Sequence, residues 1–287
     1  MTATATAPAS TSTSTRTAAP TPPAPVITGR IPPGWVVSDT LAMTRRNLLR
    51  YLRLPNLLVF STVQPVMFVL LFSFVFGGAI KAALPPGEKY IDFLMAGIFV
   101  QTVIFGSVQT GVGLSDDLSR GMIDRFRSLP MARSAVLAGR TMSDVVRNCF
   151  VVVLMTAVGM AIGFRFHGGF IPAIGGLGLA VLFGLAFSWI SAFIGLSVRD
   201  PEAAQAAGFV WIFPLVFASS AFVPVQTMPE WLQVFARNNP LSHTVNAIRA
   251  LTQGGPIWHD LWISLAWIIG ILVVFVPLSV YRYRQVH

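Results

Sequence analysis

Five stretches of this 287-residue chain run for more than twenty residues without a single Asp, Glu, Lys or Arg: Leu54 to Ile80, Phe93 to Ser115, Phe166 to Val198, Ala203 to Pro229 and Leu261 to Tyr281. A sixth, Val136 to Phe164, is interrupted only by Arg140, Asp144, Arg147 and nothing else charged. Roughly 20 apolar residues cross the ~30 Å hydrocarbon core of a bilayer, and inside it every backbone polar group must be bonded within the protein. Helices and closed barrels meet that demand. These runs are continuously apolar, whereas barrel strands alternate apolar and polar. With 54% hydrophobic and 11% charged residues and a mean hydropathy of +0.69, the chain lies outside the range of soluble domains. The expected fold is an all-α integral membrane protein with six transmembrane helices.

A net charge of +9 could point to nucleic acid, yet the basic residues concentrate beside the spans. With both termini placed in the cytoplasm, 15 Lys and Arg residues fall inside and 5 outside, the latter being Lys81, Lys89, Arg165, Arg237 and Arg249. That bias predicts the orientation and leaves no role for nucleic acid. The single Cys149 excludes an intrachain disulfide or cysteine metal cluster. No short apolar region precedes a cleavage site at the N-terminus; residues 1 to 25 are almost wholly Ala, Thr, Ser and Pro. Residues 1–37 are therefore expected to form a disordered cytosolic tail, and 38–287 a six-span domain.

The segment "SDTLAMTRRNLLRYLR", Ser38 to Arg53, offers an N-cap at Ser38, an acid at Asp39 and an apolar line through Leu41, Leu48 and Leu52. It reads as an amphipathic helix on the inner membrane surface, with Arg45, Arg46, Arg50 and Arg53 able to reach lipid phosphates. Between the second and third spans, "DDLSRGMIDRFRSLPM" is the most charged stretch of the chain. As a helix it puts Leu118, Met122, Phe126 and Leu129 on one stripe and Asp116, Arg120, Asp124 and Arg127 opposite. The tight connection "RDPE", Arg199 to Glu202, lets Asp200 begin the next helix before Pro201. Ahead of the last span, Thr227 and Glu230 form a capping-box pattern, and Val245, Ile248 and Leu251 share a side of a second short helix. Neither element is long enough to cross, so an outer re-entrant pair is expected, with an ordinary surface loop the other reading.

Catalytic motifs do not emerge. There is no G-x-x-x-x-G-K-[ST] and no G-x-S-x-G, and the only lysines sit in one outer loop. His167, His243, His259 and His287 are scattered without metal-ligand spacing, so no metal is expected. In the third span, Arg140, Asp144 and Arg147 are spaced four and three apart, so one carboxylate can pair with two guanidiniums on one face. Such a cluster either locks the foot of the helix or transmits movement into the membrane. Gln101, Phe105 and Gln109 recur every fourth residue of the second span. Trp211, Phe213, Phe217, Ser219 and Ser220 surround Pro214 in the fifth. Mixed aromatic and neutral polar surface suits a large, amphiphilic, planar cargo, although helix packing explains the same pattern. Pro65 and Pro214 could kink their helices.

The segments "DDLSRGMIDRFRSLPMARSAVLAGRTMSD", "VRDPEAAQAAGFVWIFPLVFASSAFVPVQTMPEWLQ" and "NNPLSHTVNAIRAL" together resemble the permease subunits of type-2 ABC exporters, most closely the daunorubicin- and doxorubicin-resistance branch. The resemblance runs from about Ser38 to the C-terminus. It implies a permease without a catalytic site of its own, paired with a second permease copy, identical or closely related, and with two ATP-binding cassette subunits that hold ATP and Mg. It matches the helix near Leu41 to Leu52 to the family's connecting helix and Asp116 to Pro130 to its coupling helix. The residues expected to contact the ATPase are then Asp116, Asp117, Arg120, Gly121, Asp124, Arg125 and Arg127, with Arg199, Asp200 and Glu202 as a second contact. It also implies export of an amphiphilic drug, antibiotic or lipid-like molecule across the bacterial plasma membrane. Within the family the cargo could instead be an envelope lipid or lipid-linked glycan. From another class, an ATP-independent channel would need a continuous polar lining, and a membrane enzyme would need convergent acids or histidines in the spans.

Overall fold

The computed structural model describes residues 33–53, 55–81, 84, 87–122 and 133–285. Among them the regular structure is entirely helical. Helix α1 spans Pro33–Arg53 and α2 spans Pro55–Leu71, continued by a π-helical turn at Phe72–Phe76 and by α3, Gly77–Lys81. Then follow α4 (Tyr90–Ser119), α5 (Arg133–Ile162), α6 (Phe170–Ser197), α7 (Pro201–Phe217), α8 (Glu230–Asn238), α9 (Pro240–Gln253) and α10 (Trp258–Gln285). Residues 1–32 of the expected tail lie outside the described residues. Helix α1 begins at Pro33, so Ser38 sits inside it rather than capping it.

Five helices are long and apolar enough to cross a bilayer: Thr62–Ile80 within the α2 to α3 run, α4, the part of α5 from Leu137 to Ile162, α6 and α10. The expected fifth span, Ala203 to Pro229, forms a shorter helix than its apolar run. The apolar run continues to Pro229, but α7 stops at Phe217 after 17 residues. At 1.5 Å per residue that is about 26 Å, short of the hydrocarbon core. Beyond Pro214, whose missing N–H weakens the last turns, the chain folds into irregular structure pinned by its own hydroxyls. Ser219 Oγ donates to the Val216 carbonyl at 2.6 Å, and the Ser220 N–H donates to Ser242 Oγ at 3.0 Å.

Helix α4 is the axle of the bundle, with Leu94, Met95, Ile98, Phe99, Val100 and Val103 fully buried in the main apolar cluster. Small residues bring α6 against it. Ser107 and Gly111 of α4 face Ser191 and Gly195 of α6, each pair four residues apart. The two serine hydroxyls lie 3.3 Å apart, and a Cβ on Gly111 would come within 2.5 Å of the Ser191 carbonyl oxygen. Such close backbone approach is how helices associate in lipid, where no hydrophobic drive distinguishes protein from solvent. Helix α1 crosses α5 in the same way. Met43 and Thr44 are buried over Gly139, whose carbonyl accepts from Thr44 Oγ1 at 3.2 Å, while Leu41 stays 60% exposed. Leu41 thus faces outward while Met43 and Thr44 make the contact with α5.

The end of the bundle opposite Asp116 is organised by α8 and α9. Asn239 is 2% exposed and does three jobs. Its Oδ1 caps α9 by accepting from Leu241 N at 2.9 Å, and its Nδ2 donates to the Leu215 and Ala218 carbonyls at 2.7 and 3.1 Å. Val245 and Ile248 of α9 are buried as their spacing predicts, so its backbone is covered by protein, as re-entry requires. Helix α8 instead leaves Trp231 and Val234 exposed. The capping box expected at Thr227 and Glu230 does not form. Thr227 belongs to a 3-10 turn and donates to the Pro224 carbonyl at 2.7 Å, and the residue ahead of α8 is the extended Pro229.

Candidate functional site

Where α4 ends, the charged stretch begins differently from its sequence pattern. Asp116 and Asp117 are still the last turn of α4, and the break comes at Arg120 and Gly121. The Arg120 N–H donates to the Asp116 carbonyl at 3.1 Å and the Gly121 N–H to Leu118 at 3.0 Å, and Gly121 takes φ +66°. That left-handed position is cheap for glycine and ends the helix. Asp116 pairs with Arg120 at 2.8 Å on the exposed side, while Leu118 and Met122 pack on a second apolar cluster with Leu114, Leu137, Trp189 and Tyr283. The two-faced pattern therefore holds as far as Met122. Asp124, Arg125, Phe126, Arg127 and Leu129 lie outside the described residues.

Arg199, Asp200 and Glu202 share this end. Asp200 caps α7 as expected, its carboxylate accepting from Ala203 N at 2.8 Å with Pro201 as the first helical residue. Ser115 Oγ donates to the Val198 carbonyl at 2.8 Å and binds this turn to the foot of α4.

The two arginines of α5 do not share Asp144. Arg147 pairs with Asp144 at 3.7 Å and donates to the Gly106 carbonyl of α4 at 2.6 Å, and Asp144 also accepts from Thr110. Arg140 turns instead to Asp117 of α4 at 3.3 Å and to the Gln109 carbonyl at 3.3 Å. The reason lies in α4. A Cβ at Gly113 would overlap the Arg140 guanidinium, and one at Gly106 would sit 2.8 Å from Arg147 Nη2. Two glycines seven residues apart thus open two slots on one face of α4, and each slot takes one arginine. Buried charges need this pairing, since an isolated guanidinium in hydrocarbon is costly.

Beside Arg147 a cleft of about 80 Å³ opens between α2, α4, α5 and α7. Gln101, Phe105 and Gln109 line it, joined by Gln64, Thr102, Asn148 and Phe209, which their sequence context did not single out. The candidates from the fifth expected span divide. Phe213 and Phe217 are each 44% exposed and continue outward from this cleft. Trp211 stacks on Phe187 of α6 at 5.4 Å, facing the core. Ser219 and Ser220 are buried and hydrogen-bonded as described above, away from the cleft.

An aromatic file runs from the cleft toward the opposite end. Phe105 lies 5.7 Å from Phe209 and 5.4 Å from Phe213; Phe213 stacks on Phe217 at 5.6 Å and 8°. Phe217 contacts Phe222 at 5.5 Å, and Phe222 stacks on Phe72 at 4.6 Å. Every step falls in the range of favourable ring pairing. Phe209, Phe213 and Phe217 recur every fourth residue, so they climb about 6 Å per ring along α7. Phe72 starts the π-helical turn in the first span, a local widening of the helix frequent at functional positions.

A second cavity of about 470 Å³ lies at the α9 end, bordered by Glu88, Lys89, Asp92, Phe93, Arg249 and Asp260. Arg249 is its anchor. It donates to the Phe93 carbonyl at 3.2 Å, the Ser220 carbonyl at 3.0 Å and Asn246 Oδ1 at 3.0 Å, and lies 3.6 Å over the Phe93 ring. Burial pushes its pKa down to about 10 while Glu88, Asp260 and Tyr90 hold it up, so it remains charged at neutral pH. Two of the scattered histidines meet here. His243 Nδ1 lies 2.7 Å and His259 Nδ1 3.7 Å from Asp260 Oδ1, a grouping of metal-ligating types among the described residues that no sequence spacing reveals.

Comparison with known proteins places this geometry. The chain is 36% identical over 251 residues to the daunorubicin resistance ABC transporter permease protein DrrB1 of Streptomyces coeruleorubidus, 87% of each chain being covered. It is 27% identical over 253 residues to the probable doxorubicin resistance ABC transporter permease protein DrrC of Mycobacterium tuberculosis, covering 88% of this chain and 91% of the other. A putative transport permease, ycf38 of Cyanophora paradoxa, is 25% identical over 228 residues, covering 79% and 77%. The ABC-2 type transporter profile matches residues 38–252, from within α1 to near the end of α9. With several apolar spans and this match over most of its length, the chain is a multi-pass membrane protein belonging to the ABC-2 type transporter family.

Proposed function

We propose that this chain is the permease subunit of an ATP-driven exporter that moves a planar, aromatic amphiphile out across the bacterial plasma membrane. The observation that carries this reading is the file of phenylalanine rings from Phe105 to Phe72, because rings in steps of 4.6 to 5.7 Å offer a flat cargo equivalent stacking partners along the way. The drug-resistance names of the relatives agree with it.

The cleft of about 80 Å³ is far smaller than the 300 to 1,000 Å³ of sites that enclose drug-sized ligands. A second permease copy set against the half-exposed Phe213 and Phe217 supplies the missing wall. The Asp116, Asp117, Arg120 and Gly121 foot, with Asp124, Arg125 and Arg127 beyond it, meets a separate ATP-binding subunit that holds ATP and Mg; the Arg199, Asp200 and Glu202 turn is the second contact. Both termini are cytoplasmic in this reading, following the arginine distribution, and the cavity beside Arg249 is then the exit vestibule. Arg140, Asp144 and Arg147 carry movement of the foot into α4, since each of the two guanidiniums grips an α4 backbone carbonyl.

The test is ATPase activity of the permease with its ATP-binding partner in lipid discs, scanned against daunorubicin and against envelope lipids. Stimulation by the drug supports the reading. Stimulation by a lipid alone replaces it with lipid export, and flux without the ATPase replaces it with a channel.

A further inference from the structure

At the end of the bundle that carries α8 and α9, three side chains with metal-ligating atoms meet although they come from two helices. His243 belongs to the first turn of α9, and His259 and Asp260 to the first turn of α10. Their ligand atoms lie within 4.8 Å of one another. A buried hydroxyl pair, one residue after His243 and one turn after Asp260, holds the two helix starts in register: Thr244 Oγ1 and Ser264 Oγ lie 2.7 Å apart and neither residue is exposed. The cluster borders the cavity of about 470 Å³, whose lining sets the carboxylates of Glu88, Asp92 and Asp260 against the cations of Lys89 and Arg249 and so favours a positive guest. Trp258 and Trp262 are exposed beside it, as aromatic residues are where a membrane meets water, so a dissolved ion can reach it.

We propose that His243, His259 and Asp260 bind one divalent transition-metal ion of the zinc class, which clamps the start of α10 to the first turn of α9. A tetrahedral ion holds nitrogen and oxygen ligands at about 2.0 to 2.2 Å, which sets the ligand atoms roughly 3.4 Å apart. The separations from Asp260 Oδ1 straddle that value, 2.7 Å to His243 Nδ1 and 3.7 Å to His259 Nδ1. The ion takes the place of the proton between His243 and Asp260, spreading that pair by about 0.7 Å and drawing His259 in by about 0.3 Å. The His259 side chain, 81% exposed, has room to swing, whereas those of His243 and Asp260, at 14% and 26%, form a sheltered floor.

Two imidazoles and one carboxylate also select the class of ion. Imidazole nitrogen suits Zn²⁺ and its neighbours in the transition series, whereas Mg²⁺ and Ca²⁺ take oxygen ligands. The two rings lie 6.2 Å apart at 59°, with both Nδ1 atoms toward the same carboxylate oxygen. Three protein ligands leave the fourth position to water. Once bound, the ion cross-links two helices at the rim of the cavity.

The experiment is Co²⁺ titration of the full-length permease in lipid discs, read by visible absorption, with Zn²⁺ and Mg²⁺ as competitors. We expect a single equivalent of Co²⁺ to give the intense ligand-field bands of a tetrahedral ion, Zn²⁺ to abolish them and excess Mg²⁺ to leave them in place. His259→Gln changes a side chain too exposed to matter for folding and should remove the tetrahedral bands, as should His243→Gln. His167→Gln, at the same end but outside the cluster, should leave them intact. His259→Cys should keep the site and add a thiolate-to-cobalt charge-transfer band that the wild type lacks. No tetrahedral bands in the wild type, bands that survive His259→Gln, or no charge-transfer band from His259→Cys would each overturn the site and reduce the cluster to a hydrogen-bonded His243 and Asp260. Displacement of Co²⁺ by Mg²⁺ would overturn the class of ion and the proposal with it. None of these outcomes touches the export reading, which drug-stimulated ATPase tests separately.

Discussion

Replacing Gly113 by Ala should break an ion pair without touching a charged residue. The added Cβ occupies the space of the Arg140 guanidinium, which must withdraw by about 2 Å to recover an ordinary contact of ~3.5 Å. Both Arg140 bonds to α4, to Asp117 Oδ2 and to the Gln109 carbonyl, are already at 3.3 Å, so that withdrawal puts them out of range. Asp117, with its side chain only 10% exposed, then loses its partner. Two charge-assisted bonds and a stranded carboxylate come to about 2 to 4 kcal/mol, after allowing for the flexibility of the arginine. In an Arg140→Ala background the guanidinium is gone and Gly113→Ala meets empty space. There it should stabilise by about 0.5 to 1 kcal/mol, because alanine is the better helix former in the interior of α4. Unfolding free energies in mixed micelles for the four members of the cycle would show this reversal of sign, a coupling of roughly 3 kcal/mol. Equal destabilisation in both backgrounds would refute the slot and mean that Gly113 matters for some contact other than Arg140.

Asn239→Ala removes a helix cap and two bonds to the end of α7 and should cost about 3 kcal/mol, seen as a lowered thermal midpoint and early proteolysis between α7 and α9. Gly195→Ala drives α6 away from the Gly111 backbone and should cost about 2 to 3 kcal/mol by the same micelle unfolding assay, with Ser191→Ala far milder. Arg120→Ala disturbs only an exposed pair, so stability should change by less than about 0.5 kcal/mol, yet drug-stimulated ATPase should fall if this foot docks the ATPase. Phe213→Ala breaks the ring file at its branch and should raise the drug concentration for half-maximal ATPase stimulation several-fold, with basal ATPase unchanged.

Much of this architecture was legible because hydrophobicity over twenty residues is a local quantity, and so is a cap. The long runs located the spans, and Asp200 before Pro201 marked the start of α7. What the runs could not show is where an apolar helix stops while the chain remains apolar. Ala218 to Pro224 read as membrane, yet they form the irregular link that Ser219, Ser220 and Asn239 hold in place. The i,i+3 and i,i+4 rule foresaw Arg147 with Asp144, which share a helix. It misassigned Arg140, whose partner Asp117 is 23 residues away on another helix. The recoverable signal was Gly106 and Gly113, two turns apart on the face of α4 that receives the arginines. Gln101 and Gln109 were readable as candidates, whereas Asn148 and Thr102 joined them only through tertiary packing, as did His243 and His259 around Asp260.

The pairing of Asp117 with Arg140 and of Asp144 with Arg147 also has an electrical meaning. Each elementary charge carried across the full membrane is worth about 2.3 kcal/mol per 100 mV. These two carboxylates and two guanidiniums sum to zero, so a shift of α5 against α4 that keeps the pairs together displaces no net charge. Such a shift is silent to the transmembrane voltage. Under the proposed coupling of foot to α4, that step of transport is independent of the membrane potential.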